Sequence, residues 1–391
     1  MLAGLIFATE EAEDRPDTLA ATLPFGGMTL IEYQARLLVG AGAGQILVAV
    51  ARVTPALLGA VSRASKRGVP IDVVRSAEEA ATKVHPLARV LVLADGLVTT
   101  DPVIDKMAGE GSEALLVTRN GDSPAAVERL DAQDCWAGIA RVPAERLIEI
   151  ARMPPDWDFQ SALLRVAVQH HAEHVVLSNG AAKGGHGIER SAAALASRSN
   201  AVLAALTERR VTWADRWVFT RVARLILPDI VQRNIPAWTI LAGGTLFGLL
   251  GLVGIGATWQ GLGLLATLPA IALFATGGAL AALRGEDRRA ALLEGLIAFF
   301  SATAILLAGL VASRDEKNAT ALILAIVLIA IHAVSERVPV RHRRWWASPA
   351  AYPLLLTPFG LVDFVTIGLG TLALYAFGTL AAAVEASREK A

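Results

Sequence analysis

Hydrophobic and polar positions follow different patterns in the two halves of the chain. Before residue 233 charged residues are frequent, and short apolar runs alternate with segments of helical periodicity. This alternation predicts a mostly parallel sheet with helices on both faces. The predicted strands are residues 2–8, 45–50, 71–74, 90–93 and 115–117. The predicted helices between them are residues 29–39, 55–67, 78–84 and 102–108.

From residue 235 onward, charged residues occur only in short clusters between long apolar runs. About 20 apolar residues cross the hydrocarbon core of a bilayer. The predicted spans are residues 236–258, 261–283, 290–312, a shorter 319–334, 345–359 and 361–384. The last two are separated by the turn signal Pro358-Phe359-Gly360, and a re-entrant segment followed by one span is the alternative. The predicted fold class is therefore an α/β N-terminal domain plus an all-α membrane domain of about six helices.

The positions of arginine and lysine predict how this domain is oriented. Arginines occupy the connections between spans two and three and between spans four and five, and Arg388 and Lys390 follow span six. Basic residues favour the cytoplasmic side, so both termini are expected in the cytoplasm of a multi-pass inner-membrane protein. Residues 1–8 have no basic lead and are short for a signal sequence, which favours a buried strand there.

Residues 211–233 have the pattern of an amphipathic helix that lies at the bilayer surface. Their apolar side chains fall mostly on one side, and Arg216, Arg221 and Arg224 fall elsewhere. These arginines are the candidates for binding a phosphate-bearing lipid head group. The plainer interpretation is a membrane anchor.

Composition excludes several classes of function. The formal net charge is zero, so no global basic field indicates nucleic acid binding. The single cysteine, Cys135, excludes an internal disulfide and a thiolate metal cage. His170, His171 and His174 have the side chains to bind zinc. No Cys or carboxylate stands at ligand-like spacing from them, so the sequence favours a solvated helix end.

Several segments resemble those of sugar nucleotidyltransferases. Residues 23–33, Leu-Pro-Phe-Gly-Gly-Met-Thr-Leu-Ile-Glu-Tyr, resemble the family's segment with a Gly-Gly pair before Leu-Ile-Glu. Residues 90–96, Val-Leu-Val-Leu-Ala-Asp-Gly, resemble its strand that ends in a metal-binding aspartate, and residues 136–140 resemble a later strand. The resemblance covers residues 1 to about 180. It implies a metal ligand at Asp95 and a nucleotide contact at Arg15, whereas a turn aspartate is the alternative for Asp95.

The first loop departs from that family. The family's loop is glycine-rich because backbone N–H groups wrap a nucleoside triphosphate. Here residues 9–16 are Thr-Glu-Glu-Ala-Glu-Asp-Arg-Pro, with four carboxylates and no glycine, and Ala20 stands in place of the family's lysine. We therefore expect nucleotide chemistry to be impaired.

The whole chain resembles fusions of an inositol-phosphate cytidylyltransferase with a CDP-alcohol phosphotransferase. The resemblance implies four parts: a nucleotidyltransferase-like domain at 1–180, a helical linker at 181–210, the interfacial helix at 211–234 and a membrane domain at 235–391. The phosphotransferase needs metal-binding aspartates on its second and third helices. Phe274 and Gly277 stand at such positions, and helix three offers Glu294.

Three hypotheses follow. The first is a catalytically impaired protein that binds, scaffolds or regulates in polar-lipid or inositol-phosphate metabolism, with membrane lipid and a second copy or another membrane enzyme as partners. The second is an active transferase that uses Mg²⁺ and CTP or a CDP-alcohol. Its residues would be Asp95 for the metal, Arg221 and Arg224 for phosphate, and Glu294 or Asp363 in the bundle. The third is a transporter or channel subunit, for which helices one to four offer almost no polar residues.

Overall fold

The computed structural model describes residues 1–66, 68–119, 123, 125–154, 157–208, 213–219, 221–222, 237–338 and 345–388. The chain divides into two compact units, Met1–Ala205 and Leu206–Ala391. The first unit contains a sheet with helices, and the second contains helices. An α/β part followed by an apolar helical part is the division that the hydrophobic pattern predicts.

Short segments of extended backbone supply the strands of the first unit. In its described residues they are β1 Leu2–Ala8, β2 Glu11–Ala12, β3 Arg15–Leu19, β4 Pro24–Phe25, β5 Met28–Thr29, β6 Ala43–Val50, β7 Ile71–Val74, β8 Arg89–Leu93, β9 Leu97–Val98, β10 Ala114–Thr118, β11 Glu128–Arg129, β12 Cys135–Pro143, β13 Glu173–Val176 and β14 Gly187–Ile188. The five predicted strands correspond to β1, β6, β7, β8 and β10, with ends that differ by two residues at most.

Helices of the first unit follow the strands closely. They are α1 Leu30–Gly40, α2 Pro55–Ser65, α3 Ala77–Lys83, α4 Asp101–Ala108, α5 Ala144–Ile150, α6 Phe159–Gln169, α7 Asn179–Lys183 and α8 Ala192–Glu208, with a 3-10 turn at Ala20–Thr22. Most begin at a residue that suits a helix start. For example, Thr54 accepts a hydrogen bond from the N–H of Leu57, and Pro55 is the first helical residue.

The main sheet has the strand order β13-β10-β12-β8-β1-β6-β7, with β11 paired to β12. β1 is parallel to both β6 and β8, and every residue of β1 is buried. A parallel strand covered on both faces reads as an unbroken apolar run, which explains why this strand was predictable. The sheet is mostly parallel, as predicted, but β12 runs antiparallel to β8 and β10.

The second unit contains six helices among its described residues. They are α9 Ala237–Gly256, α10 Gln260–Leu283, α11 Asp287–Asp315, α12 Thr320–Ser335, α13 Ala351–Leu361 and α14 Val365–Arg388. Among these described helices, α9, α10, α11 and α14 are long and apolar enough to cross a membrane. The other two have 16 and 11 residues. The described residues therefore contain four candidate spans where the sequence predicts about six, and these four indicate a membrane protein.

Glycines allow close packing between α9 and α10. A methyl group added at Gly263 would collide with the backbone nitrogen of Ile255 and lie 2.7 Å from the carbonyl oxygen of Gly251. Helices in a bilayer associate through such close contacts, because apolar side chains gain little by leaving lipid. Of the predicted interfacial helix, only residues 213–219 and 221–222 are described, with a π-helix at Asp215–Phe219.

Candidate functional site

Asp95 lies at the carboxyl end of the central strand β8, beside the end of β1. The two strands are parallel, with Ile6 opposite Leu93, so the residues that follow them meet at one edge of the sheet. Ligands of open α/β sheets bind at this edge. One Asp95 carboxylate oxygen, Oδ2, accepts hydrogen bonds from the backbone N–H groups of Thr9 and Glu10, both at 2.6 Å. Asp95 thereby holds the start of the first loop.

A later segment, residues 186–192, crosses the same edge, and we call it the strap. Its strand β14 pairs with β9, and the N–H of Glu189 donates to the carbonyl oxygen of Gly96 at 2.9 Å. A methyl group added at Gly96, where φ is +71°, would lie 2.7 Å from the Glu189 carbonyl oxygen. The strap therefore packs directly against the residue that follows Asp95.

The strap is also bonded to the first loop. The N–H of Glu13 donates to the carbonyl oxygen of Arg190 at 2.9 Å, and the N–H of Ala192 donates to Asp14 Oδ2 at 2.8 Å. With the loop on one side and the strap on the other, Asp95 is only 2% exposed. The protein's own chain occupies the edge at which the sequence predicts a nucleotide.

His186 anchors the start of the strap. Its ring nitrogens contact Thr99 Oγ1 at 2.8 Å and the carbonyl oxygen of Ala137 at 2.9 Å. Burial lowers the pKa of His186 to about 4, so the ring is neutral at neutral pH and donates one of these bonds while accepting the other. In the middle of the strap, Glu189 pairs with Arg198. Side chains therefore hold the strap at its start and at its centre.

The charge of Asp95 is poorly compensated. Burial raises the pKa of Asp95 to about 6, against the opposing effects of the two N–H donors and of the Arg190 guanidinium. Its second oxygen, Oδ1, is buried and has no hydrogen-bond partner among the described residues. Arg190 also lies 3.5 Å from a Glu10 carboxylate oxygen. Arg190 could not be predicted from the sequence as a neighbour of Asp95, because it lies 95 positions later beside a glycine-rich link.

Arg15, the predicted nucleotide contact, lies on β3 of an exposed hairpin with β2. Its neighbour Glu11 pairs with Arg52 at 2.9 Å. The basic side chain whose charge acts on Asp95 is thus Arg190 and not Arg15. The hairpin presents exposed carboxylates, which repel phosphate.

The segment around residues 23–33 builds a turn and a helix start. Gly26 and Gly27 have φ values of +59° and +78° between β4 and β5, a conformation that glycine adopts without strain. Thr29 and Glu32 form a capping box at the start of α1, and Glu32 also pairs with Arg63 at 2.9 Å. Glu32 is therefore committed to contacts within the fold.

In the second unit, an aromatic pair occupies the region where the resemblance to CDP-alcohol phosphotransferases predicts carboxylates. Phe274 stacks on Phe300 with 5.6 Å between ring centroids, and a methyl group at Gly244 would lie 2.6 Å from Phe274. Gly277 lines a cavity of about 410 Å³ whose polar side chains include Arg284, Glu286 and Arg289. The α10 segment contains no acidic residue.

The remaining predicted residues are dispersed. Glu294 lines a separate cavity of about 400 Å³ with Glu336 and Ser348. Asp363 is exposed in the turn before α14, with φ of +57°. The Arg221 guanidinium lies 5.0 Å from the centre of the Trp217 ring. The side chain of Arg216, and Arg224 altogether, lie outside the described residues.

No protein-family model matches the chain, and no curated protein matches it. Among solved structures, the chain is similar to an inositol-1-phosphate CTP transferase from T. maritima, with 14% identity and a TM-score of 0.36 over 45% of this chain and 85% of that one. It is also similar to a UDP-glucose pyrophosphorylase from Acinetobacter baumanii, with 11% identity and a TM-score of 0.35 over 51% of this chain and 92% of that one.

Proposed function

We propose that the protein is a membrane-bound, catalytically inactive relative of the cytidylyltransferase–phosphotransferase fusions that the sequence resembles. It binds, scaffolds or regulates other components of polar-lipid or inositol-phosphate metabolism at the inner membrane. The observation that carries this proposal is the state of Asp95. Its carboxylate holds the first loop, and the strap covers it, so it does not present an open edge for a metal-bound nucleotide.

The chemistry of the first loop supports the same conclusion. Nucleotidyl transfer needs positive counter-charge around a triphosphate as negative charge develops. The loop supplies Glu10, Glu11, Glu13 and Asp14, and two basic groups beside it are already paired, Arg52 with Glu11 and Arg190 with Glu10. Backbone N–H groups that would wrap phosphate are engaged instead with Asp95 and with the Arg190 carbonyl oxygen.

The second unit supports it independently. Metal-assisted phosphotransfer requires several carboxylates that converge on one or two ions. In α10 the comparable positions are the stacked Phe274 and the cavity-lining Gly277, neither of which has a metal ligand. On α11, Glu294 is the one acidic residue between the terminal Asp287 and Asp315, and it is separated in sequence from that motif.

A direct assay tests the proposal. Full-length protein in detergent, incubated with CTP, inositol phosphate and Mg²⁺, should form no CDP-inositol above a no-protein blank when the products are measured by mass spectrometry. Formation that depends on enzyme concentration would contradict the proposal. A pull-down from solubilised native membranes, with lipid mass spectrometry, should then identify the bound lipid and partner.

An active transferase remains the second candidate, because Asp95 Oδ1 is a buried oxygen without a partner in the described structure. Such an oxygen is available to a metal if the strap moves. This candidate predicts Mg²⁺-dependent CTP binding that Asp95→Ala abolishes. The matched control is Asp105→Ala, which changes an exposed aspartate on α4. The proposed inactive protein shows no CTP binding in either variant or in the unmodified chain.

A further inference from the structure

A second group of ligand-type side chains involves no residue of the strap and lies in the turn before β12 and on β13. It consists of Asp131, Asp134 and His174. One possible ligand atom from each, a carboxylate oxygen or an imidazole nitrogen, lies within 4.8 Å of the other two. The sequence did not reveal this group, because His174 is 40 positions from Asp134. We propose that these three side chains form a binding site for a divalent zinc ion.

The contacts of each side chain leave oxygen atoms facing the group. Asp131 uses one oxygen, Oδ1, to accept the N–H groups of Gln133 and Asp134, both at 2.7 Å, so its other oxygen is not used by this turn. Asp134 Oδ2 lies 2.7 Å from His174 Nδ1. The turn therefore fixes Asp131, and the imidazole fixes Asp134, before any ion binds.

Asp134 supplies an independent observation. Its side chain is 13% exposed, and its Oδ1 is buried without a hydrogen-bond partner in the described part of the chain. The Nε of Arg119, whose side chain is 72% exposed, lies 3.9 Å from this same Oδ1, which is an ion-pair distance but too long for a hydrogen bond. A buried carboxylate oxygen that lacks a donor is costly. A cation bound between the two aspartates removes that cost, and Arg119 is free to turn toward solvent.

Ligand chemistry selects the ion. Zinc takes imidazole nitrogen and carboxylate oxygen at about 2.0–2.2 Å, whereas Mg²⁺ and Ca²⁺ prefer oxygen ligands alone. At those bond lengths, two ligand atoms bound to the same ion are at most roughly 4.4 Å apart. Side-chain movements on the order of 1 Å would therefore bring the three ligand atoms within reach of one ion. Three protein ligands leave a coordination position for water. The ion would tie the β11–β12 turn to β13, a strand at the edge of the sheet.

The test uses full-length protein in detergent, expressed without a histidine tag and stripped with a chelator. Titration with Zn²⁺ against a chromogenic chelator should give one ion per chain. His174→Ala should weaken this binding at least tenfold. His170→Ala is the matched control, because His170 lies four residues away and faces the single carboxylate of Glu149 at 3.2 Å. That variant should bind like the unmodified protein.

A milder variant protects the test against misfolding. Asp131 is exposed, and Asp131→Asn keeps an oxygen for the two turn N–H groups while it removes the charge. It should also weaken zinc binding at least tenfold without changing the far-ultraviolet circular dichroism spectrum. Absence of zinc binding in the unmodified chain, or equal affinity of Asp131→Asn and His170→Ala, would overturn the proposal.

Discussion

Asp95 and His186 are buried titratable side chains whose pKa values are shifted away from those of exposed groups. Burial raises the pKa of Asp95 from 3.8 to about 6 and lowers that of His186 from 6.5 to about 4. Both shifts disfavour the charged form. The two residues nevertheless make opposite contributions to the pH dependence of stability, because one is an acid and the other is a base.

Asp95→Asn should change how the free energy of unfolding depends on pH. Between about pH 6 and 3.8 the folded protein binds a proton at Asp95 that the unfolded chain does not, so this residue adds stability as the pH falls. Relative to Asp95→Asn, the unmodified protein should gain about 2 kcal/mol between pH 7 and 4. Hydrogen exchange of the β1 and β8 amides in the intact protein measures this. A pH-independent difference would refute it.

His186→Asn should show the opposite trend. The unfolded chain binds a proton at this position below about pH 6.5, whereas the folded protein does so only near pH 4, so stability is lost as the pH falls through that window. Relative to the asparagine variant, the unmodified protein should lose about 3 kcal/mol between pH 7 and 4. The same exchange measurement applies. His85→Asn, at an exposed imidazole, serves as the control and should follow the unmodified protein.

At the scale of elements, the sequence predicts what is locally encoded. β1 and β7 have the predicted bounds, because an unbroken apolar run and its flanking polar residues lie within a few positions of each other. The antiparallel direction of β12 and the path of the strap were not predictable. They depend on pairings between residues far apart, such as Val90 with Val142 and Gly96 with Glu189. The local periodicity of apolar residues does not indicate such pairings.

For the candidate site residues too, local features were predictable from the sequence and long-range contacts were not. The position of Asp95 after a buried strand was predictable, because an apolar run precedes it in the sequence. The contact of Asp95 with the first loop was not predictable, since it depends on backbone N–H groups that lie 85 and 86 positions earlier in the chain. His174 was predicted beside a helix end but lies on β13. There it meets Asp134, a partner that spacing along the chain does not indicate.

Gly263→Ala should destabilise the pairing of α9 with α10. The added methyl group would meet the backbone of Ile255 and Gly251, which cannot move without separating the helices. Overpacking of this kind costs about 1–3 kcal/mol. The melting temperature in detergent should fall by several degrees. Gly378→Ala, where nothing lies within 4 Å of the added methyl, should leave it unchanged or slightly higher; equal effects of both changes would contradict this account.

On the scale of the whole molecule, the four candidate spans and the basic clusters predict an orientation that labelling can test. In a Cys135→Ser background, Lys317→Cys follows α11, and Arg288→Cys lies at its start. The positive-inside rule places residue 288 in the cytoplasm and residue 317 outside it. A membrane-impermeant maleimide should therefore label only Lys317→Cys in intact cells. It should label Arg288→Cys after permeabilisation, and the reverse pattern would invert the proposed topology.

The strap also sets an order of events during synthesis. Asp14 emerges from the ribosome early, yet its partner at Ala192 lies 178 positions later. The first apolar helix begins only 45 residues after that, at Ala237. Since translation proceeds from the N-terminus and distant pairings form slowly, the α/β unit becomes complete only as the following chain is delivered to the insertion machinery. We therefore expect the first unit to complete its fold at about the time that the second enters the bilayer.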